Sequence, residues 1–151
     1  MPNDMTAANI PDRALVSGLI VDDSPIMRIL LKRILSSYSI ECDEAGTGRD
    51  ALRKFEQRLE ARRPYGVLFL DVQMPEMDGC AALTQVRSIE KQFPDLTPVY
   101  VVVITADDSV ETIKAMHSAG ANAYCLKPVD RESVGRHVEK AREKSCRAGA
   151  C

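Results

Sequence analysis

The chain has 151 residues, 45% of them apolar and 28% charged, with a formal charge of −2. That is enough for one globular core and too little for two ordinary domains, and it excludes disordered and fibrous classes. The near-neutral balance, without a long basic run, excludes direct nucleic-acid binding, which rests on phosphate neutralisation by Lys and Arg; apolar runs of about six residues fall far short of the ~20 needed to span a bilayer.

In chain order, residues 1–13 are polar and proline-punctuated and predict a loose N-terminal extension without a basic and apolar secretory signal. "LIV" (19–21) predicts a buried strand ending at Asp22 and Asp23. Ser24 and Pro25 then offer the cap and first turn of a helix whose apolar positions are Ile26, Leu30 and Ile34. "IECDEA" (40–45) is a weaker strand, followed by helical spacing in Ala51, Leu52, Phe55 and Leu59. "VLFL" (67–70) predicts a third strand ending at Asp71. A helix through Ala82, Val86, Ile89 and Phe93 follows. "VYVVVI" (99–104) leads to Thr105 and a helix through Val110, Ile113 and Met116. "AYCL" (123–126) leads to Lys127 and a helix through Val134, Val138 and Ala141. "CRAGAC" (146–151) predicts a loose tail. The five cysteines are odd in number, scattered and free of C-x-x-C, so neither a disulfide framework nor a zinc site is expected, and a reducing cytoplasmic setting fits. His117 and His137 fall in helical stretches and are expected to be solvated or packed residues.

Short β-branched runs, apolar at consecutive positions, are the mark of strands covered on both faces. Alternating with helical segments, they predict a doubly wound α/β domain: a five-stranded parallel sheet with helices on both sides. In such folds ligands bind outside the carboxyl ends of the strands. Four of those ends carry Asp22 with Asp23, Asp71, Thr105 and Lys127, so the sheet brings three acids, a hydroxyl and an ammonium to one rim.

Three neighbouring carboxylates repel one another unless a cation sits among them, and a hard divalent ion such as Mg2+ resolves that conflict. The lysine and the hydroxyl beside it suit phosphoryl oxygens. Each residue also has a plain structural alternative. Asp22 or Asp23 caps the helix at Ser24, Asp71 is an ordinary loop acid, Thr105 satisfies backbone at a strand end, and Lys127 is a solvated charge.

"LIVDDSPIMR", "LFLDVQMPEMDG", "VVVITAD" and "AGANAYCLKP" resemble, in order, the motif blocks of the response-regulator receiver domain, in particular its chemotaxis-like stand-alone members. The resemblance runs from Leu15 to Arg142 and implies a receiver domain over residues 14–145, with a flavodoxin-like sheet in the order 2-1-3-4-5. It implies that Asp71 is the phosphoacceptor, attacking a phosphohistidine of a sensor histidine kinase. Asp23, Asp71 and the Gln73 carbonyl are implied as Mg2+ ligands, with Asp22 acting through water. Lys127 is implied to pair with the phosphoryl group, Thr105 to turn toward it, and Tyr124 to be the aromatic switch. The resemblance further implies a cis Lys127–Pro128 bond. "EQRLEARRPYG" and "KQFPDLTP" depart from a minimal receiver and are expected to be surface extensions.

A phosphoacceptor switch, assisting only its own phosphorylation and dephosphorylation, is expected rather than an enzyme. Dehalogenase-like phosphatases also use a strand-end Asp with Mg2+, but they place an acid two residues later, where this chain has Gln73, so phosphoester turnover lacks its proton donor. Neither G-x-x-x-x-G-K-[ST] nor G-x-G-x-x-G is present, which disfavours nucleotide binding. A degenerate receiver serving only for docking is disfavoured because every motif acid, the threonine and the lysine are in place. No output domain is expected before residue 151, so the message leaves through a downstream protein target or a relay phosphocarrier, with the chain a monomer or weak dimer.

Overall fold

The computed structural model of the chain describes residues 17–74 and 76–147. Five strands alternate with five helices: β1 Ser17–Val21, α1 Pro25–Ser37, β2 Glu41–Ala45, α2 Gly48–Glu60, β3 Val67–Asp71, α3 Gly79–Glu90, β4 Tyr100–Thr105, α4 Val110–Ala119, β5 Ala123–Leu126 and α5 Arg131–Arg147. The strands form one parallel sheet in the order β2-β1-β3-β4-β5, as expected. The tail expected at 146–151 overlaps α5 by two residues. Its remainder, and the extension expected at 1–13, lie outside the described residues.

Strand parity sorts the core into two layers. Leu19, Val21, Leu68, Leu70, Val101 and Val103 face α2, α3 and α4, meeting Phe55, Leu83, Val86 and Met116. The intervening Ile20, Val67, Phe69, Val102 and Ile104 face α1 and α5, meeting Leu31, Leu35, Val134 and Val138. Successive side chains leave a strand on opposite sides, so a strand apolar at every position is one that both layers cover. The edge strands differ: β2 exposes Glu41 and Asp43, and β5 exposes Tyr124 and Leu126. Each buried aliphatic or aromatic side chain stabilises the fold by about 1.5–3 kcal/mol.

The helices depart from the expected stripes in informative places. On α1 the core face is Leu31 and Leu35, while Ile26 is 77%, Ile29 54% and Leu30 39% exposed. The stripe predicted through Ile26, Leu30 and Ile34 is therefore rotated by one position. On α4, Val110 is exposed and only Met116 is buried; α3 ends at Glu90, leaving Phe93 in the following turn.

Nor are the two lengthened connections mere surface extensions. Tyr65 is 2% exposed, its ring stacked on Phe55 at 6.4 Å between centroids and its hydroxyl donating to Asp43 Oδ2 at 2.5 Å. Burial, with the Asp43 carboxylate beside it, raises the Tyr65 hydroxyl's pKa above its ordinary range. Phe93 and Leu96 pack partly on the same core. The Lys127–Pro128 bond is cis, as expected.

Where α1 meets α5, the Tyr38 hydroxyl donates to Arg131 O at 2.9 Å. A Cβ added at Gly135 would lie 2.2 Å from that hydroxyl, so the absence of a side chain there is what lets the two helices close.

Candidate functional site

The rim begins where β1 stops. Asp22 N–H donates to Ala45 O at 3.1 Å, continuing the sheet by one bond. The chain then turns into α1, whose N-cap is Ser24, its side chain accepting from Met27 N, with Pro25 in the first turn. Capping therefore does not fall to the acids. Asp22 Oδ1 accepts from Ser24 N–H at 2.8 Å, and Oδ2 is buried without a hydrogen-bond partner among the described residues. Asp23 is exposed.

On the neighbouring strand Asp71 is 4% exposed. Its Oδ1 accepts from Gln73 N–H at 3.3 Å and stands 3.6 Å from Lys127 Nζ. A Cβ at Gly79 would sit 2.6 Å from Asp71 O, so the first residue of α3 is pressed directly against the backbone that carries the acid. One carboxylate oxygen each from Asp22, Asp23 and Asp71 all lie within 4.8 Å of one another.

This cluster is electrostatically frustrated. Burial raises the pKa of Asp71, the charge of Asp22 adds to that, and Lys127 only partly opposes it. Asp22 is raised as well, chiefly by burial, although the Ser24 N–H favours its charged form. Three hard oxygen donors, one of them orphaned, match what Mg2+ or Ca2+ takes, and the donor set offers no sulfur or imidazole for softer metals. The residues fit a hard divalent cation.

A consequence follows for the metal-free protein. A carboxyl whose pKa is raised on folding takes up protons more readily in the fold than in the unfolded chain, so its contribution to stability declines as pH rises from the ordinary Asp range through the raised value. Asp22→Asn keeps an acceptor for Ser24 N–H and removes the charge. Its melting temperature should match wild type at acid pH and exceed it by several degrees near neutrality, at about 2–4 °C per kcal/mol for a chain of this size. Thermal melts from pH 4 to 8 without divalent ions test this; an advantage independent of pH would show that charge repulsion is not the cause.

Thr105 is 4% exposed at the end of β4. Its hydroxyl accepts from Asp107 N–H at 2.9 Å and donates to Asp107 O at 3.3 Å, so here it satisfies local backbone. Asp107 is held in turn by Ser109 N–H and the Thr112 hydroxyl, which keep its carboxyl below the usual range. Lys127 N–H donates to Thr105 O at 2.8 Å, tying the fourth and fifth strand ends together. Tyr124 stands apart from the cluster, 42% exposed and in register with Val103.

The structure thus brings Asp22, Asp23, Asp71, the Gln73 N–H and Lys127 together, with Thr105 on the adjacent strand end facing its own loop. Sequence reasoning missed Asp107 as the partner of Thr105, and it missed Arg28. The Arg28 guanidinium donates to Asp22 O at 2.6 Å and to Glu44 Oε1 at 3.2 Å. Its signal lay inside "DDSPIMR", one helical turn beyond the cap.

The family model for the response regulator receiver domain matches residues 19–139. Hybrid signal transduction histidine kinase L of Dictyostelium discoideum is 32% identical over 130 residues, which cover 86% of this chain and 7% of that protein. Among solved structures, chemotaxis protein CheY4 of Vibrio cholerae aligns with a TM-score of 0.72 at 27% identity, over 84% of this chain and 98% of that one. The CheX–CheY–BeF3–Mg2+ complex from Borrelia burgdorferi aligns at 0.72 and 28% identity, over 82% and 87%. The chain spans 7% to 29% of the length of the curated relatives it matches first.

Proposed function

Since the chain belongs to the response regulator receiver domain family of two-component systems, we propose that it takes a phosphoryl group from a phosphohistidine of a sensor histidine kinase onto Asp71. The modified rim then switches a surface read by a downstream protein target or a relay phosphocarrier. The observation that carries this reading is the buried Asp71 carboxylate, 3.6 Å from the Lys127 ammonium and within 4.8 Å of two further acids. An Asp carboxylate oxygen attacks phosphorus, the P–N bond breaks, and the histidine nitrogen keeps the electron pair. Phosphoryl transfer asks chiefly for alignment and charge neutralisation. Lys127 supplies a fixed positive charge, the Gln73 N–H holds the carboxylate in place, and Thr105 offers a hydroxyl once it leaves Asp107. Asp22, Asp23, Asp71 and the Gln73 carbonyl would hold Mg2+, which when bound neutralises phosphoryl charge. Two residues after the nucleophile, Gln73 cannot protonate a leaving group, which favours an acceptor switch over a phosphatase.

The test is intact mass after incubation with acetyl phosphate and Mg2+. One phosphoryl group should appear, survive acid, disappear at alkaline pH, and fail to form when EDTA replaces Mg2+. An unmodified chain under all these conditions would sink the reading.

The kinase needs a landing surface beside Asp71. Helix α1 starts at the same rim and exposes Ile26, Ile29 and Leu30, an apolar face fit for the side of another helix. Ile26→Asp combined with Ile29→Asp should slow transfer from a purified phosphohistidine kinase at least tenfold while leaving labelling by acetyl phosphate unchanged. Equal loss with both donors would place the defect in the site rather than in docking. No described helix is long and apolar enough to cross a membrane, and the free thiols of Cys42, Cys80 and Cys125 suit a reducing cytoplasm.

A further inference from the structure

Asp22 is tethered at three points. Its N–H bonds to Ala45 O, its Oδ1 to Ser24 N–H, and its backbone carbonyl receives the Arg28 guanidinium at 2.6 Å. Only Oδ2, buried and unpartnered, is left for the acid cluster. Arg28 is itself held from the far side by Glu44 on β2, which also accepts from Lys32 at 3.1 Å. The guanidinium lies close against Gly46, where an added Cβ would stand 3.2 Å from Arg28 Nη1, a tight contact.

We propose that Arg28 is a positioning residue for the cation site, its fork clamping the β1 turn that carries Asp22 and Asp23 to the end of β2. This rests on the proposed Mg2+ role of the cluster. Two features separate it from a simple charge effect. Glu44 takes up only part of the guanidinium's charge, since it also pairs with Lys32, and the charge that still favours ionised Asp22 is kept when lysine replaces Arg28. Its contact with Asp22 is to the peptide carbonyl, a bond that fixes where the turn sits while leaving the carboxylate free. A planar fork can serve both Asp22 O and Glu44 at once, whereas a lysine ammonium is a single point on a flexible stem.

Mg2+ titration by calorimetry, on wild type, Arg28→Lys and Gly46→Ala, tests the proposal. Arg28→Lys keeps the charge and loses the fork. Gly46→Ala keeps Arg28 and crowds its guanidinium from the other strand. Both should bind Mg2+ more weakly, Arg28→Lys by about tenfold, the size of effect expected when a group orienting a ligand is lost, and Gly46→Ala by a smaller factor, since it only displaces the guanidinium. Both should also reach the wild-type rate of labelling by acetyl phosphate once Mg2+ is saturating. If Arg28→Lys does not fold, judged by its metal-free melt, Gly46→Ala carries the test. Wild-type Mg2+ affinity in the folded variants would overturn the positioning role alone, and failure of the wild type to bind Mg2+ would overturn the reading beneath it.

Discussion

Asp71→Asn should take up no phosphoryl group from acetyl phosphate under conditions in which the wild type is fully labelled, a loss of at least a hundredfold by intact mass. Other acids stay in place, so the outcome separates them. Asp22 has one oxygen bonded to Ser24 N–H and, among the described residues, no ammonium within salt-bridge distance, and Asp23 is exposed to water. Asp71 alone combines burial, a neighbouring lysine and a fixed backbone donor. The amide can still accept from Gln73 N–H, and removing a charge from a repelling cluster does not destabilise the fold. Loss of labelling therefore reports on the nucleophile and not on folding. Labelling at the wild-type level would place the acceptor elsewhere.

The second large effect belongs to Thr105. Thr105→Ala should still be labelled on Asp71, within a few-fold of the wild-type rate, yet lose most of the response that labelling produces elsewhere. In the structure the hydroxyl is spent on both backbone groups of Asp107, whose carboxylate is bonded to the first turn of α4 through Thr112. Turning toward a phosphoryl group on the next strand means giving up those bonds, which frees the Asp107 loop and vacates space near β5. Tyr124, 42% exposed, is the ring placed to move inward. On the function proposed above, phosphorylation would then act as a bias on a two-state element. Nuclear magnetic resonance of the Tyr124 ring with and without acetyl phosphate reads this directly. A phosphorylation-dependent shift in Thr105→Ala equal to that of wild type would route the switch around the hydroxyl.

The sheet was legible because a strand covered on both sides leaves no polar position in its interior, and residues 19–21, 67–70 and 99–104 obey that rule. Their ends were legible for the opposite reason: Asp22, Asp71, Thr105 and Lys127 are the first polar letters after an apolar run. Helix faces were harder. On α1 the apolar letters Ile26, Met27, Ile29, Leu30, Leu31, Ile34 and Leu35 nearly surround the helix, so spacing alone could not say which subset the sheet would cover, and an exposed apolar face breaks the assumption that apolar means buried. Tyr65 was hidden by its charged neighbours in "ARRPYG", although Arg58 lies 4.2 Å over its ring and Asp43 takes its hydroxyl. Asp107 and Arg28 were hard to read for a further reason. Each contact runs through a backbone group, that of Asp107 itself in one case and that of Asp22 in the other, and backbone atoms leave no letter in a sequence.

The seam between α1 and α5 has a consequence for how this chain can vary. Helix propensity alone favours alanine over glycine at position 135 by about 1 kcal/mol, yet the Tyr38 hydroxyl fills the volume a methyl group would need. The sign of that substitution is therefore set by a residue 97 positions away in the chain. With tyrosine at 38 a side chain at 135 has to push the ring aside; with the ring removed, the same change is expected to become favourable. Two letters so far apart are thus coupled: what a side chain at 135 costs depends on which residue stands at 38.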